Sequence, residues 1–188
     1  MTPESLLSIG VGLALAAAAG FRVFVPLLAL SLAARAGWVE LSPSFVWLGT
    51  TSASVAFATA TVIEVAAYYV PFFDNMLDTL AAPVAVLAGI VASAAVLTDL
   101  PPWLQYTIAV IGAGSTAGIV HGSTSLLRLK SSAATAGLGN PILSTIELAG
   151  SVLIAVIALL APLIALMVAV VFVVVVAKRI NARRRHAF

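Results

Sequence analysis

Four ionisable side chains stand inside long apolar stretches of this 188-residue chain: Arg22, Glu64, His121 and Glu147. A carboxylate in such a place takes up a proton or holds a cation, an arginine holds an anion or neutralises a carboxylate, and a histidine relays protons near neutrality. On insertion scales a formal charge at a bilayer centre costs roughly 2.5–3.5 kcal/mol, so Arg22, Glu64 and Glu147 unpaired would together cost about 8–10 kcal/mol, comparable to a whole domain's net stability. They must therefore pair or face water. One arrangement is a polar cavity in which Glu64, Glu147, His121 and Arg22 bind an ion or small charged solute. The other is a set of structural ion pairs joining helices, for instance Arg22 with Glu64, with His121 a satisfied core donor.

The polar cavity is expected to open to the cytoplasm, with Asp74, Asp78 and Arg128 as secondary candidates at its mouth. Asp74 and Asp78 are spaced by four, and with Glu64 they offer hard oxygen ligands to Mg²⁺ or Ca²⁺ that could hold a lipid phosphate, the best enzyme-like reading of the chain; capping of the third span near its N-terminus is the favoured account of the two aspartates. With one histidine in the apolar stretches, no cysteine, and no HExxH, GxSxG or phosphate-loop motif, little is left from which to build a catalytic centre, and no cofactor is implied.

The elements that position these residues follow from composition. The chain is 62% hydrophobic and 9% charged, with a mean hydropathy of +1.18, far above soluble domains. At about 20 apolar residues per crossing there is room for roughly six spans in a single integral membrane domain over 1–188, and none for a separate soluble domain. The first apolar segment, Leu6 to Ala34, lacks a basic leader and is too long for a signal peptide. It also exceeds one bilayer crossing, so it tilts or breaks, with Gly20, Arg22 and Pro26 marking a break near Gly20. Further spans are expected over Val46–Tyr69, ending at Pro71, then Leu77–Val96 and Leu104–Leu126, with Trp103 and Tyr106 at an interfacial aromatic belt. Ser131–Pro141 reads as a loop or shallow re-entrant segment, and Ile142–Val176 as a hairpin of two spans divided near Ala161–Pro162.

The formal charge of +2 is unevenly spread. Lys178, Arg179, Arg183, Arg184 and Arg185 crowd a basic tail at 177–188, expected to hold the last helix end in the cytoplasm against anionic lipid rather than to bind nucleic acid. Six spans then put both termini inside, with Arg128 and Lys130 in a cytoplasmic loop and Arg35 outside.

Gly114, Gly118 and Gly122, spaced by four, read as a packing face for a neighbouring helix. Thr61–Ala66 resembles Ser144–Ala149 around the two glutamates, Ala82–Pro83 resembles Ala161–Pro162, and Ala19–Gly20 matches Ala117–Gly118. These matches suggest a 3+3 inverted repeat, although the expected spans place both glutamates at similar depth, where strict inversion would separate them.

Gly20-Phe21-Arg22 followed by Pro26-Leu27-Leu28, Glu64 ahead of Pro71 and the Asp74/Asp78 pair, His121 with Arg128, and Gly139, Pro141 and Glu147 together resemble the bacterial membrane family called domain of unknown function 4126. The resemblance covers most of the chain and implies a grouping of these polar residues, with no activity attached. An Asp-Lys pair that often follows the glutamate in that family is replaced here by Tyr68-Tyr69.

The expectation is thus an all-α, polytopic membrane helical bundle in the inner membrane, homo-oligomeric and in contact with membrane lipids. Its expected work is as a small transporter or channel for an ion or small charged solute, proton-coupled through its glutamates. The alternative is a lipid-interacting or scaffolding protein without turnover.

Overall fold

A computed structural model of the protein describes residues 2–69, 73–164 and 167, leaving the side chains of 73–79 outside the description. The described residues form helices and short turns with no strand. Helix α1 is Pro3–Phe21, α2 is Phe24–Arg35, a 3-10 segment covers Pro43–Gly49, α3 is Thr51–Tyr68 and α4 is Phe73–Val96. Then come α5 (Pro102–Thr107), a π-helical stretch (Ile108–Ala113), α6 (Gly114–Thr135) and α7 (Asn140–Leu160). Pro71, the second arm of the expected terminal hairpin beyond Met167, and the basic tail at 177–188 lie outside the described residues.

Among the described residues, four helices are long and apolar enough to cross a bilayer: Pro3–Phe21, Thr51–Tyr68, Asn140–Leu160, and the 34-residue rod Pro102–Thr135 that α5, the π stretch and α6 make together. Apolar side chains such as Val55, Val62, Leu87, Ile111, Leu153 and Leu160 point outward. On α7 the usual amphipathic pattern is turned inside out, with Asn140, Ser144, Glu147 and Ser151 buried and Ile142, Ile146 and Leu153 exposed. That is the arrangement of a helix whose outer face meets lipid.

Local chemistry sets the helix ends. Thr2 and Thr50 cap α1 and α3, their hydroxyls accepting from Ser5 N at 3.2 Å and Ala53 N at 3.2 Å. At the end of α4, the Ala94 and Ala95 carbonyls, which the helix cannot satisfy itself, accept from Gln105 Nε2 (2.7 Å) and Ser42 N (2.8 Å). Gln105 also donates to Ser42 Oγ at 2.9 Å. The α2–α3 and α4–α5 connections are thereby tied together at one end of the bundle, where Trp38, Trp47, Trp103 and Tyr106 are exposed.

The first apolar segment, expected over Leu6–Ala34 as one crossing that tilts or breaks near Gly20, doubles back instead of crossing once. Helical geometry stops at Arg22, with φ −144° and ψ 123°, and α2 turns back. Three contacts establish this. Gly12 of α1 lies against Ser93 near the end of α4, Ser42 is bonded to Ala95, and a Cβ at Gly49 would sit 3.5 Å from the Ala34 methyl and 3.8 Å from Leu41. Had α2 continued in the direction of α1, Ala34 would lie roughly 33 Å beyond the level of Gly12 at 1.5 Å per residue. Helices α1 and α2 form a hairpin with Arg22–Val23 at its tip, and Ser31 of α2 bonds to Ser54 of the antiparallel α3 at 2.8 Å.

Helix α1 is the centre of the bundle, packed by α4, α6 and α7. Its close face is Gly12, Ala16 and Gly20, again spaced by four. A Cβ added at Gly12 would come 2.5 Å from Ser93 Oγ, one at Gly20 2.7 Å from the Ala117 carbonyl oxygen, and one at Gly89 2.8 Å from the Ala117 methyl. Small residues let these backbones touch where lipid supplies no hydrophobic drive. Of the glycine stripe on α6, Gly114 and Gly118 pack on α4 at Ile90 and Val86, while Gly122 has open space before it.

Ser131–Pro141 is mostly helical rather than a loop. Helix α6 persists to Thr135, the chain turns at Ala136 (φ 52°) and Gly137 (φ 86°), and α7 begins at Asn140. The stop is the left-handed pair 136–137, of which Gly137 carries no Cβ penalty.

Candidate functional site

The hairpin tip is where the ionisable residues meet. Arg22 ends α1, Glu64 sits in the last turns of α3, His121 and Arg128 lie two turns apart on one face of α6, and Glu147 faces inward from α7. All five are buried, Arg22 and Arg128 almost completely.

Glu64 does not pair with Arg22 through a direct salt bridge, as one sequence reading proposed. Its carboxylate spans the start of α2, Oε1 accepting from Val23 N at 2.8 Å and Oε2 from Phe24 N at 3.1 Å. The first N–H groups of a helix have no partner within it and carry a partial positive charge. Pro26, three residues on, has no N–H to offer, so Glu64 takes two of the few donors at this end. Arg22 and His121 lie within electrostatic reach of the same carboxylate.

Glu147 is the counter-ion of both arginines. Arg128 Nε donates to Glu147 Oε1 at 3.1 Å, and Arg128 Nη2 makes a second contact to Oε2. Arg22 Nη2 stands 3.5 Å from Oε2 and donates to the Ser144 carbonyl at 2.9 Å. The ring of Tyr68 lies 4.0 Å from the guanidinium carbon of Arg22 and 4.0 Å from that of Arg128, favourable cation–π geometry in a dry setting. Tyr68 also holds α3 to α7, its carbonyl accepting from Ser144 Oγ at 3.4 Å, while Tyr69 Oη pairs with Thr145 Oγ1 at 2.7 Å.

Two arginines and two glutamates leave the formal charges balanced, but the hydrogen bonding is incomplete. Among the described residues, Nε and Nη1 of Arg22 have no hydrogen-bond partner although the residue is 1% exposed. An unpaired buried donor is costly, more so on a charged group. Glu64 borders a hollow of about 410 Å³ lined almost wholly by apolar side chains of α3 and α4 together with Val23 and Phe24 at the start of α2. His121 borders another of about 530 Å³ between α4 and α6, beside Pro83, Gly122 and Ser125.

Sequence reasoning therefore brought four of these residues forward and underrated Arg128, which sits in the middle of the cluster rather than at its mouth. The seven-residue step from His121 to Arg128, two helical turns, was the available signal. Tyr68 and the Ser144 carbonyl were missed, though the four-residue step from Glu64 to Tyr68 puts both on one face of α3. The side chains of Asp74 and Asp78 lie outside the described residues. Among the described residues no three His, Asp or Glu gather as metal ligands.

These features define an all-helical membrane protein with a charge cluster at the tip of an internal helical hairpin. The chain belongs to the family described as domain of unknown function (DUF4126), whose family model matches residues 9–181. No curated protein and no solved structure matches it.

Proposed function

We propose that this protein is a small membrane transporter or channel for an ion or small charged solute, with Arg22, Glu64, Glu147, Arg128 and His121 as its site. The observation that carries this reading is Arg22. It is a buried guanidinium at a helix break with two nitrogens unmatched among the described residues, where a purely structural pair would be closed. Discontinuous helices whose ends meet charged groups inside the bundle are a recurrent way to build ion sites in transporters. The test is purified protein in liposomes carrying a trapped pH-sensitive dye. Ion gradients should drive proton or ion flux above protein-free vesicles, and Glu64→Gln should reduce it. Vesicles no leakier than controls under every gradient tried would remove the proposal.

The orientation we infer has the end with Lys130 and the α6–α7 turn in the cytoplasm of a bacterial inner membrane, together with the basic tail. The count of six crossings and the shared side of both termini assumed one crossing by Leu6–Ala34. With α1 and α2 doubled back, the N-terminus and Arg35 fall together on the opposite, non-cytoplasmic side. The 3+3 inverted repeat is not kept: Gly112 lies against Leu13 and Gly20 against Ala117 and Val120, so the matched helices α1 and α6 run in the same direction, where inversion would make them antiparallel. The two glutamates share one region instead of opposite depths. A homo-oligomer in contact with anionic lipid completes the proposal.

A second reading, a scaffolding or lipid-interacting protein, is favoured by the double pairing of Glu147, which joins α1, α6 and α7 as a structural ion pair does.

A further inference from the structure

We propose that the Glu64 carboxylate is a built-in stand-in for a small monovalent oxyanion, which replaces it at the start of α2 when Glu64 takes up a proton. The inference rests on the transporter reading and names its substrate class.

The argument starts from the shape of the contact. The two oxygens of one trigonal carboxylate accept from two successive backbone N–H groups, Val23 at 2.8 Å and Phe24 at 3.1 Å. Helix N-termini bind anions because unpaired N–H groups and the helix dipole converge there. A carboxylate, nitrate or bicarbonate ion presents the same pair of oxygens on a trigonal centre. The second, independent observation is Arg22, which immediately precedes those N–H groups, is 1% exposed, lies within electrostatic reach of Glu64, and has Nε and Nη1 unmatched among the described residues. An anion at the tip would have those two donors in addition to the ones Glu64 uses.

The third observation is the place Glu64 would go. A protonated carboxyl is neutral, no longer held by the helix dipole, and far cheaper to place against hydrocarbon than its anion. Beside it lies the hollow of about 410 Å³ lined by Ala60, Ile63, Leu80, Ala81 and Val84. The ionisable groups facing Glu64 are Arg22 from the α1–α2 turn and His121 from α6. Glu147 and Arg128 stand behind Arg22, and the lining residues of α4 carry no charge. Balance is exact. One proton from solvent neutralises one carboxylate, one monovalent anion takes its place, and the formal charge of the cluster changes by zero once both are bound. Anion and proton therefore bind together.

The experiment uses the full-length protein in detergent with nitrate as probe and chloride as comparison. At about hundred-fold saturation, linkage predicts a rise of roughly 5–10 °C in melting temperature. The rise is expected for Glu64→Ala at neutral pH, where the site is vacant, and for the unmodified protein only at acidic pH. Nitrate that stabilises neither form, or stabilises the unmodified protein equally at both pH values, overturns the proposal, and chloride acting as strongly as nitrate overturns the oxyanion class. Should Glu64→Ala not fold, proton uptake by the unmodified protein in weak buffer decides, with about one proton expected per nitrate bound and nitrate binding without uptake sinking the idea. Nitrate-linked uptake without liposome flux would uphold the site and remove transport. Proton flux indifferent to nitrate would uphold transport and remove this inference.

Discussion

Glu147 on α7 closes a two-point ion pair with Arg128 on α6, across the turn made by Ala136 and Gly137. The same carboxylate faces Arg22, so one anion holds two buried cations in place.

Neutralising that carboxylate should be among the most damaging single changes in the protein. Glu147→Gln leaves two guanidiniums without their counter-ion, a loss of about 3–5 kcal/mol, seen as a lower melting temperature in detergent. Arg128→Met combined with Glu147→Leu should recover only part of it, because apolar residues of similar volume replace the Arg128–Glu147 pair at little cost while Arg22 still lacks its counter-ion. A double variant no better than Glu147→Gln would show that the pair matters through more than charge.

Tyr68 supplies the aromatic face for both arginines. Tyr68→Leu should cost about 1–4 kcal/mol, from two cation–π contacts of roughly 0.5–2 kcal/mol each, and Tyr68→Phe distinctly less. Equal effects of the two substitutions in a thermal melt would mean that the ring contributes only bulk.

The close seam around α1 predicts where added volume is not tolerated. Gly20→Ala and Gly89→Ala place a methyl within 3 Å of Ala117, and should destabilise by about 1–3 kcal/mol. Gly122→Ala and Gly150→Ala meet nothing within 4 Å, and should be neutral or gain up to about 1 kcal/mol of helix propensity. Size-exclusion profiles and melting curves of the four variants, measured side by side, check the ordering.

The doubling back of α1 and α2 is open to a direct topological test, since the chain has no cysteine to remove. Single cysteines at Glu4, Arg35 and Lys130, probed with a membrane-impermeant maleimide in right-side-out and inverted vesicles, should divide into Glu4 with Arg35 and Lys130 alone. Labelling of Glu4 and Arg35 from opposite sides would contradict the hairpin.

The membrane class was legible because charge is so scarce that each buried ionisable residue announced itself, and the cluster of Arg22, Glu64, His121 and Glu147 was visible for the same reason. Partner choice was not legible. Glu64 selects backbone N–H groups rather than Arg22, and only the reversal at Arg22–Val23 brings those groups to it. Arg128 was assigned to a mouth because Ser131–Thr135 looks like a loop, yet small polar residues remain helical until a left-handed position stops them. The clamp of Gln105 on Ala94 and Ser42 carried no sequence signal, since it satisfies carbonyls that only a tertiary fold exposes.

The reach of Arg22 has a consequence for synthesis. Its carbonyl acceptor at Ser144 lies 122 residues further along the chain, and at roughly 5–20 residues per second the ribosome needs on the order of ten seconds to deliver it. Throughout that interval the nascent protein holds a guanidinium with neither Ser144 nor Glu147 available. The segment made first is thus the one whose docking must wait longest, and a chain arrested before α7 would present its unfinished tip to quality control.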